Sequence, residues 1–170
     1  NKIIMNDSHL HFMVNHFPII GTLFGLGILI TGMLLKNNSV KNTAYILFIV
    51  AAIFAAFSMG TGEGAEELVE DLPNIGKQII HEHEEIAEKF AIIMYVTGFL
   101  GLLSLYTSIK NHNLAKIFSF ITLALALLAA VFAKSVGTSG GEIRHTEIRS
   151  NSGAGSSENA TDVKNDNEED

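Results

Sequence analysis

Cysteine is absent from this 170-residue chain. That excludes disulfides, thiolate-ligated iron–sulfur clusters and thioether-attached haem. Any metal would rest on histidine, carboxylate, methionine or backbone oxygen. Charge is also missing, over four long stretches. No Asp, Glu, Lys or Arg occurs from His11 to Leu35, from Asn42 to Gly62, from Phe90 to Ile109 or from Ile117 to Ala133. The EF-hand, P-loop, dinucleotide fingerprint and nucleophile elbow are absent as motifs. A net charge of −7 and the lack of a basic cluster argue against nucleic acid as a partner.

What is present lies in those four uncharged blocks, which hold most of the 48% hydrophobic content. A helix needs about 20 largely apolar residues to cross the hydrocarbon core. Three blocks reach that length. The fourth has seventeen residues between Lys116 and Lys134, whose stems can snorkel to the two interfaces. The chain therefore predicts an all-α integral membrane protein, an up-down-up-down four-helix bundle with the lipid bilayer as its surroundings. Expected helices lie at about 12–35, 43–61, 77–109 and 115–136, within a transmembrane domain of about 1–148. The first is too long for a signal-peptide core and reads as a retained helix. Residues 149–170 carry six acids and one Lys with no aromatic, and are expected to be a disordered acidic tail.

Short connections force neighbouring helices to run antiparallel. Four spans then place both termini and the 60–89 region at one end, side A, and only the loops near 36–42 and 110–116 at side B. All 18 acids and six of the seven histidines fall on side A. Side B holds Lys36, Lys41, Lys110, Lys116 and His112 with no acid. The positive-inside rule then predicts side B cytoplasmic and both termini on the opposite, outer face of the membrane. The acidic stretch 63–72 reads as a solvated amphipathic turn, or as a dock for a cationic partner.

The histidines converge by topology. His9, His11 and His16 open helix 1, His81 and His83 open helix 3, and His145 follows helix 4. His83 and Gly101 are eighteen residues apart, about five whole turns, and share a stripe with Ala87, Met94 and Gly98. The residues one turn from His83 are apolar, those one turn from His81 polar, so His83 should face the bundle and His81 water. Glu84 and Glu142 are the candidate carboxylates for a liganding imidazole's second nitrogen. Gly21, Gly25 and Gly32 on helix 1, with Gly98 and Gly101 on helix 3, allow close helix packing or leave room for a flat cofactor.

The order H-x-x-x-x-H-F-P (His11 to Pro18), a His-Glu pair opening helix 3 (His83, Glu84) and Gly-Gly-Glu-aliphatic after helix 4 (Gly140 to Ile143) resembles a bacterial four-helix membrane family. That family is known as a domain of unknown function and sometimes stands beside Rieske or rubredoxin-like modules. The resemblance covers roughly residues 9 to 148. It implies a b-type cytochrome-like redox component, singles out His11, His16 and His83, and makes Gly140 and Gly141 the turn after helix 4.

From these residues the ligand pool is His11, His16, His83 and His145. One expected function is b-type haem binding at the side A end, for electron transfer between a quinone and a soluble carrier. A copper or zinc site on the same histidines is the second, and a non-catalytic subunit of a larger respiratory complex the third. The plain alternative for any single histidine is an amphipathic side chain at the membrane interface.

Overall fold

The computed structural model describes residues 7–70, 75–145 and 149; the predicted tail, Arg149 apart, lies outside the described residues. Six helices follow one another: α1 (Asp7–Val14), α2 (His16–Leu34), α3 (Asn38–Gly60), α4 (Gly62–Val69), α5 (Lys77–Ile109) and α6 (Ala115–Arg144). The pair α1–α2 forms one span, and α3, α5 and α6 are the other three, each long and apolar enough to cross a bilayer. The chain is a multi-pass membrane protein with an all-helical bundle.

Pro18 explains the break at Asn15. Its ring has no N–H for the carbonyl four residues back and clashes with it, so α1 ends at Val14 and α2 restarts with Pro18 in its first turn. The α2–α3 turn closes tightly: Lys36 takes a left-handed conformation (φ 51°) and the Asn37 side chain accepts from the Ser39 and Val40 amides. This cap starts α3 at Asn38, earlier than the hydropathy block predicts. The α5–α6 turn uses Asn111 in the same left-handed region (φ 49°), where asparagine is tolerated.

The spans pack in the ring order α2, α3, α5, α6, closed by α6 against α2. Lipid tails supply no hydrophobic drive between helices, so close contact and hydrogen bonds hold such a ring together. Glycines set the approach of α3 to its neighbours. A Cβ on Gly25 would stand 2.6 Å from the Phe48 ring, and one on Gly98 2.5 Å from the Ala52 Cβ. The stripe expected from periodicity is seen: Met94, Gly98 and Gly101 are buried. The apolar residues outside the core, such as Phe24, Leu34 and Val131, face outward to lipid.

Inside, hydroxyls pair between spans. Tyr45 meets Ser119 at 2.6 Å, Ser104 meets Thr122 at 2.8 Å, and Thr22 donates to the Met94 sulfur at 3.0 Å. In membranes each such bond contributes about 0.6 kcal/mol on average. They pin the register of helices whose apolar surfaces would otherwise slide.

Two expectations at side A need correction. Gly140 and Gly141 do not form a turn; α6 continues through them to Arg144. A glycine inside a helix costs about 1 kcal/mol, but here Gly140 lies against the His83 ring, where a side chain would collide. The Arg149 guanidinium then donates to the Glu142 and Ile143 carbonyls and satisfies the helix end. The acidic stretch after α3 is likewise not a turn but the helix α4, packed over α1.

Candidate cofactor site at the side A mouth

α5 has 33 residues. At 1.5 Å per residue it is about 50 Å long, against about 30 Å of hydrocarbon. Its first turns must therefore stand beyond the core, and His83 sits there. His11 is placed by α1, which packs on α4. The Ser8 hydroxyl donates to the Gly64 carbonyl, and a Cβ on Gly64 would strike Asp7. These contacts carry His11 to the same mouth.

The two imidazoles are held alike. His11 Nδ1 lies 3.0 Å from the Ser58 carbonyl, with the Thr61 hydroxyl at 3.4 Å. A carbonyl only accepts, so Nδ1 carries the proton, and in the neutral ring the lone pair sits on Nε2. His83 Nδ1 lies 2.9 Å from the Ser139 hydroxyl, which donates its own proton to the Val136 carbonyl at 3.2 Å. With its proton on the Val136 carbonyl, Ser139 accepts from His83 Nδ1–H in the tautomer that presents the lone pair at Nε2. Neither Nε2 has a hydrogen-bond partner among the described residues. Both rings are partly buried and lie within electrostatic reach of each other.

Space beside the rings is kept by glycine. A Cβ on Gly140 would come within 3.1 Å of His83 Cε1, and one on Gly62 within 4.0 Å of His11 Cε1. The ligand pool predicted from sequence is thus divided. His11 and His83 stand at the same mouth, within electrostatic reach of each other. His16 is exposed at the start of α2, within electrostatic reach of His11. His145 is exposed at the end of α6, where its amide bonds the Gly141 carbonyl. His81 lies in water beside Glu84 and Glu85, as its polar neighbours predict. His112 is at the opposite end, its ring accepting from the Leu114 amide.

Glu84 lies beside Glu66 of α4, and burial together with that neighbouring carboxyl pushes its pKa up. Glu142 is half-buried. The groups that orient the two rings, Ser58 and Ser139, carry no signal in the sequence. Only the pairing of α1 with α3, and of α5 with α6, brings them into reach.

Fold and site together define a four-span helical membrane bundle with an oriented imidazole pair at one mouth. Among the described residues, no three His, Cys, Asp or Glu side chains gather as a metal-holding set. Comparison with protein-family models, with curated proteins and with solved structures finds no match for this chain.

The residues fit a group held by two imidazoles from different helices. In b-type haem the porphyrin supplies four of the six iron ligands and the protein the other two. Tetrahedral zinc asks for three or four protein ligands. The donor set suits haem better.

Proposed function

We propose that this chain is a membrane-embedded redox protein that binds b-type haem between His11 and His83 and transfers electrons. The observation that supports this most is that both rings stand at one mouth with Nδ1 bonded to a protein oxygen. Each Nδ1 is anchored on a protein oxygen, each Nε2 is left to a metal, and the rings come from separate helices, as the two faces of a macrocycle require. The haem would supply the one-electron chemistry. The protein's part is to hold the rings, through Ser58 and Ser139, and to keep the edge of His83 clear, through Gly140. Oriented outer partners of this kind raise ligand basicity and help set the potential.

The resemblance to the four-helix family described above agrees with this reading. By that resemblance and the lysine asymmetry, the site faces the periplasm of a bacterial inner membrane. The electron partners of such a site are a membrane quinone and a soluble carrier. An open lipid-facing groove of about 400 Å³ between α2 and α3, lined by Phe17, Gly21, Phe24, Val50 and Phe54, gives an apolar partner a place to lie. Its upper rim is one residue from His16.

The test is a reduced-minus-oxidised visible spectrum of the purified protein, with elemental analysis. Haem bands with about one iron per chain support the reading. Stoichiometric copper or zinc without bands replaces it with a metal-handling role. Neither metal nor bands, after expression with haem precursor, overturns it.

A further inference from the structure

The side B end holds a second set of groups that the redox site does not use. Ser108 Oγ and Asn42 Oδ1 are buried there with no hydrogen-bond partner. Ser108 is only 8% exposed. The two belong to facing helices at one depth. A Cβ on Gly98 would meet Ala52, and one on Gly101 would meet Tyr45 and Ile49. Continuing that antiparallel register puts Ser108 against the turn of α3 that carries Asn42. An orphaned polar atom in a membrane domain is costly, because lipid offers it nothing. Something polar must reach these two from the open end.

The surroundings say what kind of group that is. Lys36, Lys41, Lys110 and Lys116 ring the same end, and residues 36–43 and 108–116 contain no Asp or Glu. The ion pairs among the described residues involve only Lys77, Lys89 and His81, all at side A, so these four ammonium groups have no acidic partner. Lys41 lays its stem over Gly32, where a Cβ would come within 2.8 Å of its Cγ. A lysine anchored by its stem keeps its head in the headgroup layer. The end of the bundle is thus cationic, lies at headgroup depth, and contains a hydroxyl and an amide terminal atom, assigned as oxygen, without partners.

We propose that the side B end binds the phosphate of an anionic phospholipid between α3 and α5. Ser108 and Asn42 hydrogen-bond the phosphate, directly or through its hydration water. Lys41 and Lys110 neutralise it, and Lys36 and Lys116 gather further anionic headgroups. A hydroxyl and a flipped amide both donate, which is what a phosphate oxygen accepts. The occupant is a lipid rather than a soluble anion because this end lies at the interface, where a free phosphate would have to displace the headgroups already there.

The experiment reconstitutes the full chain in nanodiscs of phosphatidylcholine with a minority of phosphatidylglycerol, then counts retained lipids by native mass spectrometry. The expected result is enrichment of phosphatidylglycerol over the bulk ratio by roughly tenfold, given the attraction of each lysine for an anionic surface. High salt lowers that enrichment. Ser108→Ala lowers it several-fold without changing the melting temperature, and Lys110→Gln, on an exposed turn, lowers it too. Equal retention of the two lipids overturns the proposal. So does unchanged enrichment in Ser108→Ala, or full displacement of the lipid by millimolar inorganic phosphate.

Discussion

The two ends of the bundle are built from different chemistry for different ends. At side A, two rings are held through Nδ1, His11 on the Ser58 carbonyl with Thr61 beside it and His83 on the Ser139 hydroxyl, and their outer nitrogens are left open. Toward side B, inside the bundle, the hydroxyls of Tyr45 and Ser119, and of Ser104 and Thr122, pair with one another, while nearer the rim Ser108 and Asn42 each keep an unpartnered oxygen. The first arrangement orients groups for a ligand; the second locks helices together. The contrast teaches that hydrogen bonds of similar length serve binding or packing according to whether the bonded groups keep spare valence.

Changes at side A should remove the ligand and spare the fold, whereas changes in the packed interior should do the reverse. The largest effect is expected for His83→Ala, which should abolish haem retention while His112→Ala keeps it; visible spectra of the two variants check this. Equal loss in both would erase the difference between the ends. Next comes Gly98→Leu. With the Ala52 Cβ only 2.5 Å from the added carbon, overpacking should destabilise the bundle by about 1–3 kcal/mol or more. Gly27→Ala, which meets nothing within 4 Å, should not lower the melting temperature in detergent.

Ser139→Ala leaves the His83 Nδ1–H without its acceptor. Haem affinity should fall about 10- to 100-fold, read by titration of the apoprotein, with the melting temperature unchanged. A matching loss of stability would mean that Ser139 belongs with the packing hydroxyls. The smallest effect is expected from a double-mutant cycle on Ser104→Ala and Thr122→Ala, with a coupling of about 0.6 kcal/mol in unfolding and no change in haem spectrum.

Much of this arrangement was legible in the residues. The uncharged blocks marked the four spans, and the α5 span from Lys77 to Ile109 follows the expected limits. Apolar neighbours one turn away placed His83 inward, and polar ones placed His81 outward. The helix ends were less legible. Hydropathy cannot see the Asn37 cap that starts α3, nor the fit of Gly140 to a histidine ring that carries α6 past a sequence resembling a turn. The division of the histidines was hidden for a similar reason. His11 and His16 are five residues apart, and Pro18 separates their helices, so no single helical register relates them.

The sequence by itself determined how many times the chain crosses the bilayer and which end gathers the imidazoles. Both follow from where charge is missing and from the shortness of the loops, which are local properties of the chain. Only the tertiary structure decided which imidazoles meet, which nitrogen of each is left open, and which oxygens hold them. Those relations join residues 47 and 56 positions apart. They exist only once α1 has packed against the end of α3, and α6 has stayed helical alongside α5.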